Sequence, residues 1–443
     1  MEVEEPGLRF SWLSSERPVP RLVARPLLRF LHTEASGGVI LLAAVIVALG
    51  LANSPWGDAY EAFWRTELSV EAGPLRLSED LRHFVNDALM AIFFFVVGLE
   101  IKRELVTGEL SSARSAALPA LAALGGMLVP ALVYAAINRG GAGSSGWGIP
   151  MATDIAFAIG LLALFSARIP SGLRVFLLTL AIVDDIGVIL VIALFYSAGL
   201  HFGWLLAAAG LACVVVVLRR LKVWWVPVYV VVGAAFWLAM FESGVHATIA
   251  GVILGLLTPA RPADPDGMRN VFEQAEVLAK EPDASFVRST AQQANEVVSV
   301  AERLEHLLHP WSSFVIIPLF ALANAGVILS VDRLRDAATS PVAIGVVLGL
   351  VVGKMFGIVG ASLLAMKLGI GDLPVGVEKR HIVAVSAVAG IGFTVSLFVA
   401  GLSFDNPEQI EVAKIGVFVG SLLAGTLGAV LLTIATRHRE PAH

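Results

Sequence analysis

Two adjacent aspartates, Asp184 and Asp185, lie near the middle of an apolar stretch that runs from Leu173 to Ala198. A helix rises 1.5 Å per residue, so about 20 apolar residues cross the hydrocarbon core of a bilayer. A carboxylate at mid-depth costs about 2.5 to 3.5 kcal/mol to insert, and such groups are functional by default. Adjacent residues project about 100° apart on a helix, so their oxygens can flank one small site. The pair predicts a site for a cation or a proton, with a structural ion pair as the alternative.

The composition of the 443-residue chain is that of a membrane protein. Hydrophobic residues make up 57% and charged residues 15%, against about 45–50% and 25% in soluble proteins. The single cysteine, Cys213, excludes a disulfide or a multi-cysteine metal site within one chain. Phosphate-binding and dinucleotide-binding glycine motifs are absent, and no basic stripe indicates nucleic acid. We therefore predict an all-α polytopic membrane protein that needs no cofactor and binds no nucleic acid.

The apolar runs predict about 12 transmembrane helices. Their expected ranges are 37–52, 82–104, 115–137, 148–166, 172–198, 202–218, 225–241, 244–260, 311–329, 341–366, 381–402 and 411–436. The Lys and Arg residues of the connecting loops alternate as the positive-inside rule requires, with both termini in the cytoplasm. This pattern predicts a multi-pass protein of the cell membrane.

The transmembrane domain is expected to span residues 37–436, between a cytoplasmic N-terminal tail (1–36) and a short cytoplasmic C-terminal tail (437–443). One long polar insert, residues 261–309, interrupts it. Within the insert, Glu273 to Leu308 is rich in Ala, Glu and Val without Gly and has helical spacing, which predicts a cytoplasmic amphipathic helix.

Two of the predicted spans contain residues that break helices. The fourth has Pro150 and Asp154 within an apolar segment, and the eleventh has Gly390 and Gly392 at mid-span. In lipid, unwound backbone survives only where protein or a water-filled cavity satisfies it. A discontinuous helix presents a positive and a negative half-helix end at the membrane centre. Asp154 could offset the positive ends, and a cation such as Lys354 the negative ends.

The two breaks occupy corresponding places in two three-span blocks, at about 115–198 and 341–436. The first block starts on the cytoplasmic side and the second on the outer side, as an inverted repeat requires. Paired discontinuous helices within inverted repeats point to a transporter site. The alternative is two unrelated glycine kinks between tightly packed helices.

Several long motifs stand out along the chain. They are NDALMAIFFFVVGLEIKREL at 86–105, ATDIAFAIG at 152–160, AIVDDIG at 181–187, SGVHATIAGVILG at 243–255, RLEHLLHPW at 303–311, PLFALANAGV at 318–327 and GIGFTVSLF at 390–398. Together they resemble the motifs of the NhaA family of sodium/proton antiporters. The resemblance extends from about residue 30 to 436 and implies an NhaA-like fold with two discontinuous helices. The expectation of a homodimer rests on this resemblance alone.

The resemblance also implies roles for individual residues. Asp185 is similar to the principal cation- and proton-binding carboxylate, with Asp184 as its partner, and Asp154 and Thr153 match the assembly around the first discontinuous helix. Lys354 matches a membrane-embedded lysine that pairs with the aspartates. Five further residues match positions associated with the pH response, at the cytoplasmic mouth or in the activation profile. They are Glu100, Arg103, Glu104, His246 and Glu305.

The expected mechanism is a competition in which Na⁺ or Li⁺ and protons occupy the same carboxylates in turn. Asp184 and Asp185 would titrate as a coupled pair. The expected activity is electrogenic antiport, activated at alkaline pH, that extrudes sodium. Two other functions stay open. A sodium-coupled symporter would need a polar or aromatic substrate pocket at mid-depth, and an intramembrane enzyme would need a catalytic group that adjacent aspartates on one helix do not supply.

Overall fold

The structure is a computed structural model that describes residues 36–437, apart from 73–74, 167, 198, 222–225, 262–266, 268, 275–286, 288–289 and 291–296. The predictions for the two tails and for most of the cytoplasmic insert lie outside these residues. The described helices are α1 (Ser36–Ala52), α2 (Gly57–Trp64), α3 (Leu81–Val106), α4 (Ala113–Ile137), α5 (Ile155–Ala163), α6 (Ser171–Phe195), α7 (Phe202–Arg220), α8 (Val226–Glu242), α9 (Thr248–Leu257), α10 (Val300–Asn324), α11 (Val331–Thr339), α12 (Pro341–Lys367), α13 (Lys379–Val388), α14 (Phe393–Ser403) and α15 (Pro407–Thr436).

Within the described part of the chain, eight helical segments are long and apolar enough to cross a membrane, or up to ten if each of two bent pairs counts as one span. The bent pairs are α1 with α2, at 116°, and α13 with α14, at 49°; α8 and α9 are shorter apolar helices. The chain is therefore a mostly helical, multi-span membrane protein. The total of twelve spans and the inverted symmetry of the two blocks stay predictions.

Some boundaries differ from the sequence-based expectation. The ninth span begins at Val300 rather than at 311, because Ser299 caps the helix by accepting a hydrogen bond from the backbone of Glu302 and the helix then runs unbroken to Asn324. Residues 300–309, expected in the cytoplasmic insert, are thus the first turns of α10. A two-stranded antiparallel hairpin, β1 (Glu67–Ala72) and β2 (Leu75–Asp80), precedes α3 and was not predicted.

The helices pack in two groups. The broken-helix bundle comprises α4 to α6 and α12 to α15, with α12 lying along α4 and α15 along α12 and α13. The flanking group comprises α1, α3 and α7 to α10, with α9 packed along α3 and α10 along α1. Close approach depends on glycine at several crossings. A Cβ on Gly357 of α12, for example, would lie 2.2 Å from the backbone oxygen of Gly125 on α4.

Two ends of the molecule can be distinguished. We call one the basic face, because helix ends there carry Arg103, Arg174, Lys367 and Lys379. We call the other the hairpin face, because the β-hairpin leads there into the start of α3. Helix α6 begins at the basic face and ends at the hairpin face, so Asp184 and Asp185 lie midway between them.

Candidate functional site

The first broken segment lies directly before α5. A 3₁₀ helix, Ser144–Met151, ends at Met151, and residues 152–154 are not helical. Asp154 then caps α5, because its Oδ1 accepts a hydrogen bond from the backbone N–H of Phe157 at 3.2 Å. Pro150 has no N–H to donate, so it removes a backbone hydrogen bond from the last turn of the 3₁₀ helix, which stops one residue later.

The second broken segment is the linker between α13 and α14, and it crosses the first. Asp154 donates its backbone N–H to the carbonyl of Ile391 at 2.6 Å. Gly390 and Gly392 permit this approach, because a Cβ on Gly390 would lie 2.4 Å from the carbonyl oxygen of Leu350 and one on Gly392 would lie 3.0 Å from that of Ala152. The unwound backbone of each segment is therefore satisfied by protein, as membrane depth requires.

The carboxylate of Asp154 accepts hydrogen bonds from the helices that follow both broken segments. Its Oδ2 accepts from the backbone N–H of Thr394 at 3.0 Å and from the Thr394 hydroxyl at 2.6 Å. Because Thr394 lies in the first turn of α14, one carboxylate stands at the N-terminal ends of both α5 and α14, where negative charge is favoured. Thr394 was not among the site residues predicted from the sequence. A hydroxyl residue two positions after Gly392 is the signal that could have found it.

Asp184 is enclosed by protein partners. Its Oδ2 accepts from the ammonium of Lys354 and, at 2.7 Å, from the hydroxyl of Thr153. Lys354 also donates to the carbonyl of Met151 at 2.5 Å, at the negative end of the 3₁₀ helix. All three side chains are fully buried. The other carboxylate oxygen of Asp184, Oδ1, has no hydrogen-bond partner among the described residues.

Asp185 has a different environment, although it is the next residue on the same helix. Its side chain makes no hydrogen bond or ion pair within the described part of the chain, and 7% of its surface is exposed where Asp184 has none. The carboxylates of Asp184, Glu100 and Asp154 all lie close enough to contribute negative potential there, and Lys354 contributes positive potential. Asp185 is thus the carboxylate of the pair that is open to a mobile ligand.

Four of the five residues matched to the pH response cluster at the basic-face ends of α3 and α10. Arg103 donates to Glu305 at 2.5 Å and to Glu104 at 3.4 Å. Glu100 lies one turn before Glu104 and interacts electrostatically with Glu305 and Arg103. Because Glu100 also interacts with Asp185, it connects this cluster to the aspartate pair.

His246 is not part of that cluster. It precedes α9 at the hairpin face, where its Nε2 lies 2.8 Å from the backbone carbonyl of Tyr196.

The basic face also contains a cavity that opens toward the aspartate-bearing helix α6. A cavity of about 450 Å³ lies at the basic face beside the cluster. Its lining residues are Glu104, Thr107, Gly108, Glu109, Ser112, Ser115, Val175, Leu178 and Thr179.

The arrangement can bind a small hard cation through carboxylate oxygens. Asp185 and the free Oδ1 of Asp184 are the available ligands, since the remaining oxygens of Asp184 and Asp154 accept hydrogen bonds from protein groups. No third His, Cys, Asp or Glu joins the two aspartates in a metal-binding cluster among the residues that the structure describes. The same oxygens can hold protons instead.

Comparison with known proteins gives a consistent result along nearly the whole chain. Residues 28–432 match the family model described as Na⁺/H⁺ antiporter 1. The Na⁺/H⁺ antiporter NhaA of Rhodopirellula baltica is 48% identical over 94% of this chain and 95% of its own length. Na⁺/H⁺ antiporter NhaA 3 of Frankia alni is 46% identical over 94% of this chain and 92% of its own, and the NhaA protein of Oleidesulfovibrio alaskensis is 45% identical over 97% and 98%.

Proposed function

Because the chain belongs to the Na⁺/H⁺ antiporter 1 family, we propose that it exchanges Na⁺ or Li⁺ for protons across the cell membrane at Asp184 and Asp185. The observation that carries this proposal is the unequal state of the pair. Asp184 is held by Lys354 and Thr153, whereas Asp185 is buried without a protein donor. A buried carboxylate in that state needs a proton or a cation to offset its charge.

The exchange follows from the limited number of available oxygens. With a proton on Asp185, the only carboxylate left for Na⁺ is that of Asp184, whose charge is already offset by Lys354. Once the proton leaves to alkaline cytoplasm, Asp185 and Oδ1 of Asp184 can bind the cation while the bond between Asp184 and Lys354 stays formed. Proton and cation therefore exclude each other at one site, which is the condition for antiport.

We propose that the basic face is the cytoplasmic face, with both chain termini on that side. The positive-inside rule supports this orientation, because the helix ends at that face carry most of the loop Lys and Arg residues. The cavity beside Glu104 then opens to the cytoplasm. In this state the site accepts sodium from inside the cell, and the protein extrudes it against entering protons. We infer alternating access by rocking of the broken-helix bundle against the flanking group.

We expect the exchange to be electrogenic, with more than one proton per sodium ion, and to be activated at alkaline pH. Each net charge moved then responds to the membrane potential at about 2.3 kcal/mol per 100 mV. The cluster of Glu100, Arg103, Glu104 and Glu305 supports a pH response at the cytoplasmic mouth, since it combines three acids with one arginine beside the cavity. A homodimer is an expectation that rests on the family resemblance alone.

The central experiment is transport in everted membrane vesicles with a fluorescent pH indicator. Addition of Na⁺ or Li⁺, without any organic solute, should dissipate a preformed pH gradient, faster at alkaline than at neutral pH. The variant Asp185→Asn should lose this activity, because an amide cannot exchange a proton for a cation. Asp405→Asn, which removes an exposed acid at the hairpin face, is the matched control and should transport normally. Normal exchange by Asp185→Asn would refute the site, and a requirement for an organic solute would favour a symporter.

A further inference from the structure

One stripe of helix α6 leads from the ion-binding carboxylate to the hairpin face. Asp185, Ile189, Ile192 and Tyr196 are spaced at i, i+4, i+7 and i+11, so they lie on one side of the helix. An ion that leaves Asp185 toward the hairpin face must pass along this stripe.

The middle of the stripe is closed. Ile189 and Ile192 pack against Thr248, Ile249 and Val252 of α9 and Phe94 of α3, with no room for a water molecule between them. We call these six residues the apolar seam. All are less than a tenth exposed. Phe94 packs in turn on Phe398 of α14, with ring centroids 5.5 Å apart. The seam thus joins the broken-helix bundle to the flanking group.

The other direction along α6 is open. Thr179, six residues before Asp185 and therefore about 9 Å away along the helix axis, lines the basic-face cavity. Polar side chains, Glu104 and Glu109 among them, share that cavity. The same helix therefore borders a polar-lined cavity on one side of Asp185 and a closed apolar contact on the other.

A polar contact crosses between the two groups at the end of the seam. His246 lies three residues before Ile249, and its Nε2–H donates to the carbonyl of Tyr196, four residues after Ile192, at 2.8 Å. The donor role follows from the partner, since a carbonyl oxygen only accepts.

Both ends of this bond are held rigidly. The Tyr196 hydroxyl donates to the carbonyl of Ser145 at 2.8 Å and accepts from the N–H of Gly148 at 3.2 Å, which fixes the end of α6 to the 3₁₀ helix of the first broken segment. On the other side, Ser243 stabilises the turn before α9 by donating to Met240 and accepting from Val245, and Gly244 adopts a φ of 79°. Movement of the bundle against the flanking group must therefore break the bond between His246 and Tyr196.

We propose that the apolar seam is the outer gate of this protein and that His246 is a positioning residue that latches the gate shut through the carbonyl of Tyr196. The inference rests on the proposed function, because a gate is needed only where one site faces two sides in turn. The latch acts through α6 and does not touch the transported ion. Its loss should raise the fraction of molecules in which the seam is open.

The test measures access to the seam directly, so its result is separate from that of the transport assay. In a Cys213→Ser background, Ile192→Cys reports the seam and Thr179→Cys reports the basic-face cavity. A membrane-impermeant thiol reagent is applied from the hairpin face for the first reporter and from the basic face for the second. Each reporter is combined with native His246, His246→Ala and His246→Gln. His201→Ala, which removes a neighbouring exposed histidine at the same face, is the matched control.

We expect His246→Ala to increase the labelling rate of Ile192→Cys by about five- to tenfold, which corresponds to the net contribution of one hydrogen bond. His246→Gln, which keeps an N–H donor, and His201→Ala should label at close to the native rate. Labelling of Thr179→Cys should change by less than about twofold in every background, because only a minority of molecules opens. No increase at Ile192→Cys, an equal increase for His246→Gln, or an increase at both reporters from general loosening would overturn the proposal.

Discussion

At the scale of single residues, Asp184 and Asp185 differ through their surroundings and not through their chemistry. A helix turns about 100° between them, so Asp184 points to Lys354 and Thr153 while Asp185 points to the side of α6 that faces the cavity and the seam. A buried ion pair contributes little net stability, but removal of one partner leaves a buried charge uncompensated. Lys354 therefore holds the carboxylate of Asp184 in a fixed position.

The ion pair gives a prediction for stability. Lys354→Met should lower the free energy of unfolding by about 3 to 5 kcal/mol, because the Asp184 carboxylate loses its counter-charge at 0% exposure. The double variant Lys354→Met with Asp184→Asn removes both charges and should recover much of that loss. Thermal unfolding of purified protein in detergent, followed by tryptophan fluorescence, measures both. Additive losses in the double variant would show that the two groups do not interact.

At the scale of elements, the crossing of the two broken segments is the central feature. Each segment has unwound backbone whose polar groups need partners, and the other segment provides them. The N–H of Asp154 donates to the carbonyl of Ile391, and the Asp154 carboxylate accepts from the backbone N–H of Thr394 at the start of α14. Ser396 adds a third contact, since its hydroxyl donates to the carbonyl of Ile149 at 2.7 Å. The segments are therefore stable as a pair, and each needs the other at this depth.

Thr394 offers a test of this pairing. Thr394→Val removes the hydroxyl donor to Asp154 while keeping the shape of the side chain, and should lower the free energy of unfolding by about 1 to 3 kcal/mol, since a hydrogen bond to a buried carboxylate is lost. Thr394→Ser keeps the donor and should lose less. Chemical denaturation in mixed micelles distinguishes them. Equal losses for the two variants would show that the hydroxyl contributes no more than the methyl contacts that Thr394→Ser removes.

The start of α3 provides a prediction with a pH dependence. Asp80 caps this helix, and its carboxylate accepts from the backbone and ring of His83 at 2.7 and 2.9 Å. Burial raises the pKa of Asp80, but the bonds from His83 and the charge of Arg82 outweigh it, so the pKa lies below its ordinary value of 3.8. The ionised cap therefore stabilises the fold above pH 3.8, and this contribution is lost as the pH falls through the lowered pKa.

Asp80→Ala should accordingly lower the free energy of unfolding by about 1 kcal/mol near neutral pH, and the difference from the native chain should shrink in acid. Asp80→Ser keeps an uncharged cap and should show a smaller loss that varies little with pH. Circular dichroism melts across an acidic series measure these changes. A deficit in Asp80→Ala that stays constant down to strongly acidic pH would contradict the role of the carboxylate.

Some of these elements could be predicted from the sequence more accurately than others. Long apolar runs such as α4, α6 and α12 were located to within a few residues, since hydropathy follows directly from residue type. The break in each discontinuous helix was marked by Pro150, Gly390 and Gly392. The hairpin before α3 was missed because its residues carry no long apolar run. Thr394 was not recognised as the partner of Asp154, because the glycine break marks its segment but nothing local links two residues that lie 240 positions apart.

At the scale of the whole molecule, the described helices form two groups, with the closed apolar seam between them toward the hairpin face and a polar-lined cavity at the basic face. Within each group, helices approach through glycines, as at the contact of Gly251 with the backbone of Ala91. In lipid, such van der Waals contact replaces the hydrophobic effect as the source of helix association. This close packing supports the proposal that each group moves as one body while the contact between the groups changes.

Two glycines on one helix test how closely the bundle is packed. Gly357→Ala places a methyl group 2.2 Å from the backbone oxygen of Gly125 and should separate α12 from α4, with a loss of at least about 1 to 3 kcal/mol. Gly360→Ala, three residues further on, meets nothing within 4 Å and should be neutral or slightly stabilising. Melting temperatures in detergent compare them. Similar values for both variants would show that this crossing is loosely packed.

The pairing of the broken segments also has a consequence for biosynthesis. Asp154 leaves the ribosome 240 residues ahead of Thr394, which at about 5 to 20 residues per second is a delay of roughly 10 to 50 s. Throughout that interval the nascent first half must reside in the insertion machinery with an incomplete helix and no counterpart. Nascent chains interrupted between the two halves should therefore be substrates for membrane quality-control proteases, and co-synthesis of the missing half should protect them.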